Sequence, residues 1–564
     1  MCKINLAAAP FYLTAEDIQW VEKTKAQMTL AEKIGQLFCP LGMSPEQGYL
    51  QQEIVDKHVG GILFRNGQGS EMQAVHNFLQ QQSKIPLLIA ANLEAGGDGI
   101  AVDGTAFGKQ LEVAATGDRK HAYHLGKVSC AEGRAVGCNW AFAPVVDIDK
   151  NYHNPITNVR TLGDDPDRII AFAGEYIRAA QEENVATSIK HFPGDGIDER
   201  DQHLVTSVNT LSCEAWDASY GRIYQKLIAA GSLTVMVGHI AMPAYENKYN
   251  PENAERIVPA SLSKALMQKV LREKLGFNGL IVSDATPMVG FCAGRSRAEA
   301  VPLCIENGCD MFLFNKDLSE DIAFMHAGYE KGLLSPKRLD EAVTRILALK
   351  ASLKLHKAKQ DGSLIHTLDE LQALRSEEHV QWARECADAS VTLVKDTQKL
   401  LPLDVKKHKK VLLQILGPFD SNKRVQAYMT EKLTREGFEV CHYEPEHFGM
   451  HLDNVGDIKR KYDLVLYIGN VENASNQTTA RIQWKTFFGL GNNLPWFVHE
   501  VPTLFVSLAN PYHLLDVPMV KTFINAYSNT EYVMDAVVEK IMGRSAFKGK
   551  NPVDPFCGRS DTKY

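Results

Sequence analysis

No stretch of about 18 consecutive apolar residues occurs in the 564 residues, which excludes a membrane-spanning helix. Long runs of Lys or Arg are missing too, and a net charge of −7 leaves no basic stripe, so a nucleic-acid partner is disfavoured. Walker A and Gly-x-Gly-x-x-Gly motifs are absent, which argues against nucleotide binding. The lack of His-Glu-x-x-His argues against metal-dependent hydrolysis, and nothing in the chain calls for a cofactor. Eleven cysteines are scattered from Cys2 to Cys557 without one Cys-x-x-Cys pair. That odd, dispersed set fits free thiols better than disulfides or a zinc site. The first 20 residues lack the long apolar segment of a signal peptide, and acidic residues follow at Glu16 and Asp17. A cytoplasmic location is therefore expected. On that expectation the sequons at Asn473 and Asn476 are chance matches.

What is present is an ordinary globular composition, 45% apolar and 23% charged, in a chain too long for one core. Up to about residue 350, short apolar runs alternate with amphipathic stretches. The runs lie at 60–64, 87–91, 142–146, 186–189, 233–237, 280–282 and 311–314, and helical patterns at 166–183 and 263–275 fall between them. Runs that are short, apolar on both faces and rich in β-branched residues suit buried parallel strands. Strand–helix units repeated over some 300 residues predict an α/β fold that opens with a (β/α)8 barrel. The barrel is expected over 1–355, a polar, partly helical connector over 356–380, and a smaller α/β/α sandwich over 381–564. The runs at 391–394, 411–415, 463–468 and 502–506 supply the strands of the second domain, and 424–436 one of its helices.

Barrel enzymes place their chemistry just beyond the carboxyl ends of the strands. The polar residues that follow each run form a consistent set: Asn92 and Glu94, Asp147 and Asp149, Lys190 and His191, His239, then Ser283 and Asp284. The densest stretch runs from Lys190 to His203 through a Gly/Pro loop. Asp201 and His203 are two apart, so in an extended segment both side chains would project to one side. Asp201 could then fix the His203 tautomer for general acid/base work. Spacing alone favours the plainer alternative, a solvated loop with an incidental ion pair. Asp284 ends a buried strand, where a carboxylate needs polar company. It reads either as a helix N-cap or as a nucleophile.

The pieces, taken in order, resemble glycoside hydrolase family 3, and within it the β-N-acetylglucosaminidase branch. Met28-Thr29-Leu30-Ala31-Glu32-Lys33-Ile34-Gly35-Gln36-Leu37-Phe38 is similar to the family's opening helix. Phe142-Ala143-Pro144-Val145-Val146-Asp147 and Asn158-Val159-Arg160-Thr161-Leu162-Gly163 resemble its third-strand region. Gly279-Leu280-Ile281-Val282-Ser283-Asp284 resembles the segment that carries the nucleophile. The branch signal is Lys190-His191-Phe192-Pro193-Gly194 followed by Asp201-Gln202-His203. The resemblance implies Asp284 as nucleophile, His203 as acid/base and Asp201 as its orienting partner. It also implies Lys190, His191 and Arg160 as ligands of sugar hydroxyls, and Met288 as a pocket-lining residue or a core methionine.

Two departures from the family pattern bear on the sugar. The family's Asp-x-Glu-Gly-Gly, with an Arg soon after, is here Asn92-Leu93-Glu94-Ala95-Gly96-Gly97, with no Arg nearby. Asn92 takes the place of a sugar-binding Asp and lacks its charge. Asp195 stands where the branch commonly has His. The resemblance implies a retaining double displacement that releases terminal β-linked N-acetylglucosamine from a small oligosaccharide or glycoside. Phosphorolysis with inorganic phosphate, a β-glucosidase and, last, a non-catalytic sugar-binding protein are the alternatives.

Overall fold

The strands at 61–64, 88–91, 186–192, 234–237 and 280–283 are buried along their lengths, so both faces of each must be covered. In the computed structural model, residues 4–253, 256–292, 294–443, 453–484, 486–487, 490–491 and 493–564 are described. The chain divides into two units. One comprises Met1–Phe107, Ala122–Asn151 and Asp165–Val380, the other Gly108–His121, Tyr152–Asp164 and Gln381–Tyr564.

In the first unit, parallel pairing begins at β1 (Phe38–Cys39) and β2 (Leu41–Gly42), one chain segment interrupted at Pro40. It continues through β3 (Gly61–Phe64), β4 (Leu88–Ala91), β5 (Trp140–Ala141), β6 (Ala186–Phe192), β7 (Thr234–Val237) and β8 (Leu280–Ser283). A parallel bridge from Val282 to Met311 leads to β9 (Phe312–Leu313), which pairs with β1. The ladder thus returns to its first segment and closes a barrel, with helices such as Pro166–Glu182 between strands. Two boundaries differ from the sequence expectation. The run at 142–146 lies beyond β5, because Pro144 has no N–H for a ladder. The run at 186–189 continues to Phe192, with a register shift between Ile189 and Phe192 that places Lys190 and His191 inside the strand. The expected connector is partly helical, at Leu355–Asp361 and Leu368–Ala373.

A buried carboxylate fastens the end of the barrel. Asp310 accepts from Ile281 N–H at 2.8 Å and from Arg272 at 2.6 Å, and its other oxygen accepts from Arg338 at 2.6 Å. Arg345 lies 3.4 Å away. Burial alone would raise the Asp310 pKa, but the three guanidiniums hold it below the usual carboxylate range. The cost falls on the cations: burial brings Arg272 down to about 9.

The second unit holds a six-stranded sheet of β10 (Thr392–Asp396), β11 (Lys410–Leu416), β12 (Glu439–His442), β13 (Leu464–Gly469), β14 (Thr503–Ser507) and β15 (Thr522–Asn525). Its spatial order is β10-β15-β14-β13-β11-β12, parallel except for edge strand β10. Register opposes Tyr467 to Phe505 and Phe505 to Phe523, so three rings stack across neighbouring strands with centroids 6.1 and 5.0 Å apart. Asn473, the first sequon, is buried and donates its amide to Ile156 O at 2.9 Å, so a glycan there would break a packed contact. Among the described residues no helix is long and apolar enough to cross a membrane.

Glu112, on the helix Gln110–Ala115, is fully buried. Burial raises its pKa from 4.5 to about 8, against a pull from Ser528. The folded chain therefore holds a proton that the unfolded chain has lost between those values, and stability falls as pH rises through that window. Glu112→Gln removes the linkage. In urea unfolding, the stability of the variant relative to wild type is expected to grow by roughly 2–4 kcal/mol from pH 4.5 to pH 8.5. A difference that stays constant with pH would refute a protonated Glu112.

Candidate active site

The carboxyl ends of β6, β7 and β8 bring one carboxylate and three imidazoles within electrostatic reach of one another. Asp284 follows β8, and its N–H donates to Val237 O of β7 at 2.8 Å. It is not a helix N-cap, since its Oδ1 accepts from the N–H of Ala285, the next residue, at 2.7 Å. Its Oδ2 faces His191 Nε2 at 4.0 Å, and the side chain keeps 15% of its surface exposed. Burial pushes the Asp284 pKa up, but His191, His239, His203 and the Ala285 N–H outweigh it, and the carboxyl stays below its ordinary range. The loop that carries it is held from both sides. Thr286 donates its N–H to Leu313 O and its hydroxyl to Phe314 O, while Arg297 donates to Thr286 O at 2.9 Å and pairs with Asp321.

His191 owes its orientation to Asp147. The Asp147 carboxylate accepts His191 N–H at 3.0 Å and Asp195 N–H at 2.8 Å through one oxygen, and His191 Nδ1–H at 2.7 Å through the other. With Nδ1 thus committed, Nε2 is the nitrogen presented to Asp284. Lys190 is buried and forms an ion pair with Glu94 at 2.6 Å. Asn92, two residues before Glu94, is exposed at the end of β4. Gly96 in that segment has φ +139, and a Cβ there would lie 2.1 Å from Thr105 O, so the altered glycine segment is tightly seated.

Asp201 and His203 do form a pair, by a different geometry from the extended segment expected. The chain turns at 201–205, where Asp201 O accepts from Leu204 and Val205 N–H. Asp201 Oδ1 takes both the His203 N–H at 2.9 Å and the His203 Nδ1–H at 2.6 Å. A carboxylate that caps its own turn in this way fixes backbone and imidazole together. The pair is no solvated accident, for Asp201 is fully buried whereas His203 keeps 22% of its side chain exposed. Gln202, between them, accepts His239 N–H at 2.7 Å, while Val289 N–H donates to His203 O at 3.0 Å. The turn at 201–205 and the segment that follows Asp284 are therefore tied to each other.

Sequence reasoning singled out Asp147 and His239 only as strand-end polar residues and passed over Gln202 and Arg297. His239 is completely buried. Its Nδ1 meets Ser261 Oγ at 2.8 Å and its Nε2 meets Ala285 O at 2.9 Å, and burial lowers its pKa against the pull of Asp284. Met288 is buried, its N–H bound to Ala285 O. Arg160 belongs to the second unit, at the end of the turn Asn158–Arg160, where its carbonyl accepts from Gln110.

Residues 29–349 match the family model described as the glycosyl hydrolase family 3 N terminal domain. Over its whole length the chain is 44% identical to a "Beta-N-acetylglucosaminidase/beta-glucosidase" of Cellulomonas fimi, covering 99% of this chain and 100% of that one. Among solved structures it is similar to beta-glucoside phosphorylase BglX, with TM-score 0.93, 45% identity and 99% of each chain covered. A family 3 beta-N-acetylglucosaminidase from Paenibacillus sp. str. FPU-7 follows at TM-score 0.79 and 25% identity, covering 94% of this chain and 99% of that one.

If Asp147 acts only by holding His191, Asp147→Asn keeps the backbone contacts and loses the charged one. It is expected to lower kcat/KM on an aryl β-glycoside by about 10–100-fold, with a shift of the His191 ring nitrogens in the NMR spectrum. Unchanged rates together with an unchanged spectrum would dismiss the role.

Proposed function

This chain belongs to glycosyl hydrolase family 3, and on that premise we propose that it removes a terminal β-linked sugar, N-acetylglucosamine first, by retaining double displacement. The observation that carries the reading is the Asp201–His203 pair tied to the Asp284 loop. Asp284, kept ionised, attacks the anomeric carbon and forms a glycosyl ester. His203, whose Nδ1–H is committed to Asp201, donates the proton on Nε2 to the departing oxygen. In the second half-reaction the same Nε2 takes a proton from the incoming acceptor, whose oxygen displaces Asp284 and restores the β configuration. Lys190 and His191 stand beside that chemistry as hydroxyl ligands, with Glu94 and Asp147 holding them. Asn92 retains hydrogen bonding without the charge of a carboxylate, which leaves room for glucose as well as N-acetylglucosamine. The double name of the Cellulomonas relative supports that breadth.

A second reading concerns the acceptor. The 45% identity to a protein titled a beta-glucoside phosphorylase favours inorganic phosphate in place of water. A phosphate oxygen would then attack the glycosyl ester, give its proton to His203 and leave as the sugar 1-phosphate.

Asp284→Ala and His203→Ala are each expected to cut turnover of a nitrophenyl β-N-acetylglucosaminide by about 1,000-fold or more, and Asp201→Ala by about 10–100-fold. Near-wild-type rates for all three would overturn the assignment. Product analysis by mass, with and without added inorganic phosphate, decides the acceptor. Free sugar in both buffers means hydrolysis, and a sugar phosphate in the second means phosphorolysis. Turnover of the matching glucoside alone would assign the Asn92 segment to glucose.

A further inference from the structure

The second unit has a cavity of its own, of about 690 Å³. It opens at the carboxyl ends of β11 and β13, neighbours in the sheet whose onward paths diverge. From β11 the chain runs through the helix Phe419–Arg435 to β12 on one side, and from β13 it goes on to β14 on the other. Such a divergence leaves a crevice that ligands use in open α/β sheets. Gly417 permits the turn from β11 into the helix, since its φ is +142 and a Cβ would lie 2.3 Å from Asn470 O.

The chemistry of the lining is that of uncharged donors and acceptors. Gln414, Asn422, Gln426, Gln477 and Gln483 contribute amides, Thr479 a hydroxyl, and Tyr443 an aromatic ring. Two of the amides are anchored from behind. Gln414 donates to Tyr467 OH at 3.1 Å, and Asn422 donates to Gly417 O at 2.9 Å while accepting from Asn470. Charges in the lining are largely matched within the protein: Arg481 grips Asp516, and Glu472 pairs with Lys109 at 2.8 Å. Lys423 stands exposed in the first turns of the helix. Amides that donate and accept at once suit vicinal hydroxyl groups, whereas a dedicated anion site would keep its cations available.

We infer that this cavity is a non-catalytic binding site for a neutral oligosaccharide. Its volume holds roughly two or three sugar rings, within the range of ordinary ligand clefts. The test uses the full-length Asp284→Ala protein, which cannot consume the ligand, titrated by calorimetry with cellotriose and with tri-N-acetylchitotriose. Gln426 is exposed on its helix, so Gln426→Trp obstructs the cavity without burdening the fold, and retained turnover of the nitrophenyl glycoside in an otherwise wild-type chain verifies folding. The expected result is that adding Gln426→Trp to Asp284→Ala removes one equivalent of bound oligosaccharide, and that Asn422→Ala weakens that equivalent about tenfold. If the catalytic reading fails, the count falls from one to zero rather than from two to one, so the two ideas are separable. Equal stoichiometry in both proteins, or no binding to either, overturns the site. So does binding of inorganic phosphate or ADP that Gln426→Trp abolishes where neither sugar binds.

Discussion

To act as the proposed nucleophile, Asp284 must keep its negative charge where burial works against it, and the surrounding architecture answers to that constraint. A carboxylate at the end of an inner strand loses most of its water, and a protonated one cannot attack carbon. One backbone N–H and the field of three imidazoles hold its pKa down. No lysine or arginine is bound to it in an ion pair among the described residues. That choice matters chemically, because a tightly bound cation would also quench the nucleophile, whereas an imidazole 4.0 Å away stabilises the charge and leaves an oxygen accessible.

The same logic recurs one step outward. His191 can serve Asp284 only in one ring orientation, and Asp147 sets it with two hydrogen bonds, while a third holds the Asp195 N–H. His203 can serve only with Nε2 outward, and Asp201 sets that with two. In both cases a buried carboxylate takes a backbone N–H and the ring Nδ1–H of the same residue, so the backbone conformation and the tautomer are decided together. Barrel closure uses a related device at Asp310, where one carboxylate accepts from a strand N–H and from arginines. Carboxylates are costly to bury singly, and Asp147, Asp201 and Asp310 are each made part of a small closed set.

How much of this could be read beforehand differs from residue to residue. Alternating apolar runs disclosed the strands, because a barrel strand covered on both faces must be apolar throughout. Strand ends were less legible. Lys190 and His191 look like the start of a loop, yet β6 carries them inside the ladder, since a register shift can turn polar side chains toward the site without ending the strand. The spacing of Asp201 and His203 pointed to a pair but not to its geometry, because a residue pair two apart meets in an extended strand and in a capped turn alike. Asp147 was visible only as a strand-end acid, since its partner lies 44 residues on. Gln202 carried no signal at all, for its role depends on His239 N–H, a backbone group that no sequence pattern marks.

Charge also bears on which acceptor completes the reaction. In the proposed mechanism Asp284 becomes an ester once the sugar is attached, and its charge is gone. The acids that remain nearby are each engaged within the protein, Glu94 in an ion pair with Lys190 and Asp147 and Asp201 in hydrogen bonds with His191 and His203. A carboxylate acid/base would stand ionised at this stage and repel a dianion, by several kilocalories per mole at about 4 Å in a partly dry site. An imidazole that has given up its proton is neutral and does not. In the proposed mechanism no acid/base carboxylate stands ionised at the departing oxygen, so that part of the barrier to phosphate is missing, and discrimination between water and phosphate falls to whatever groups can bind the anion beside His203.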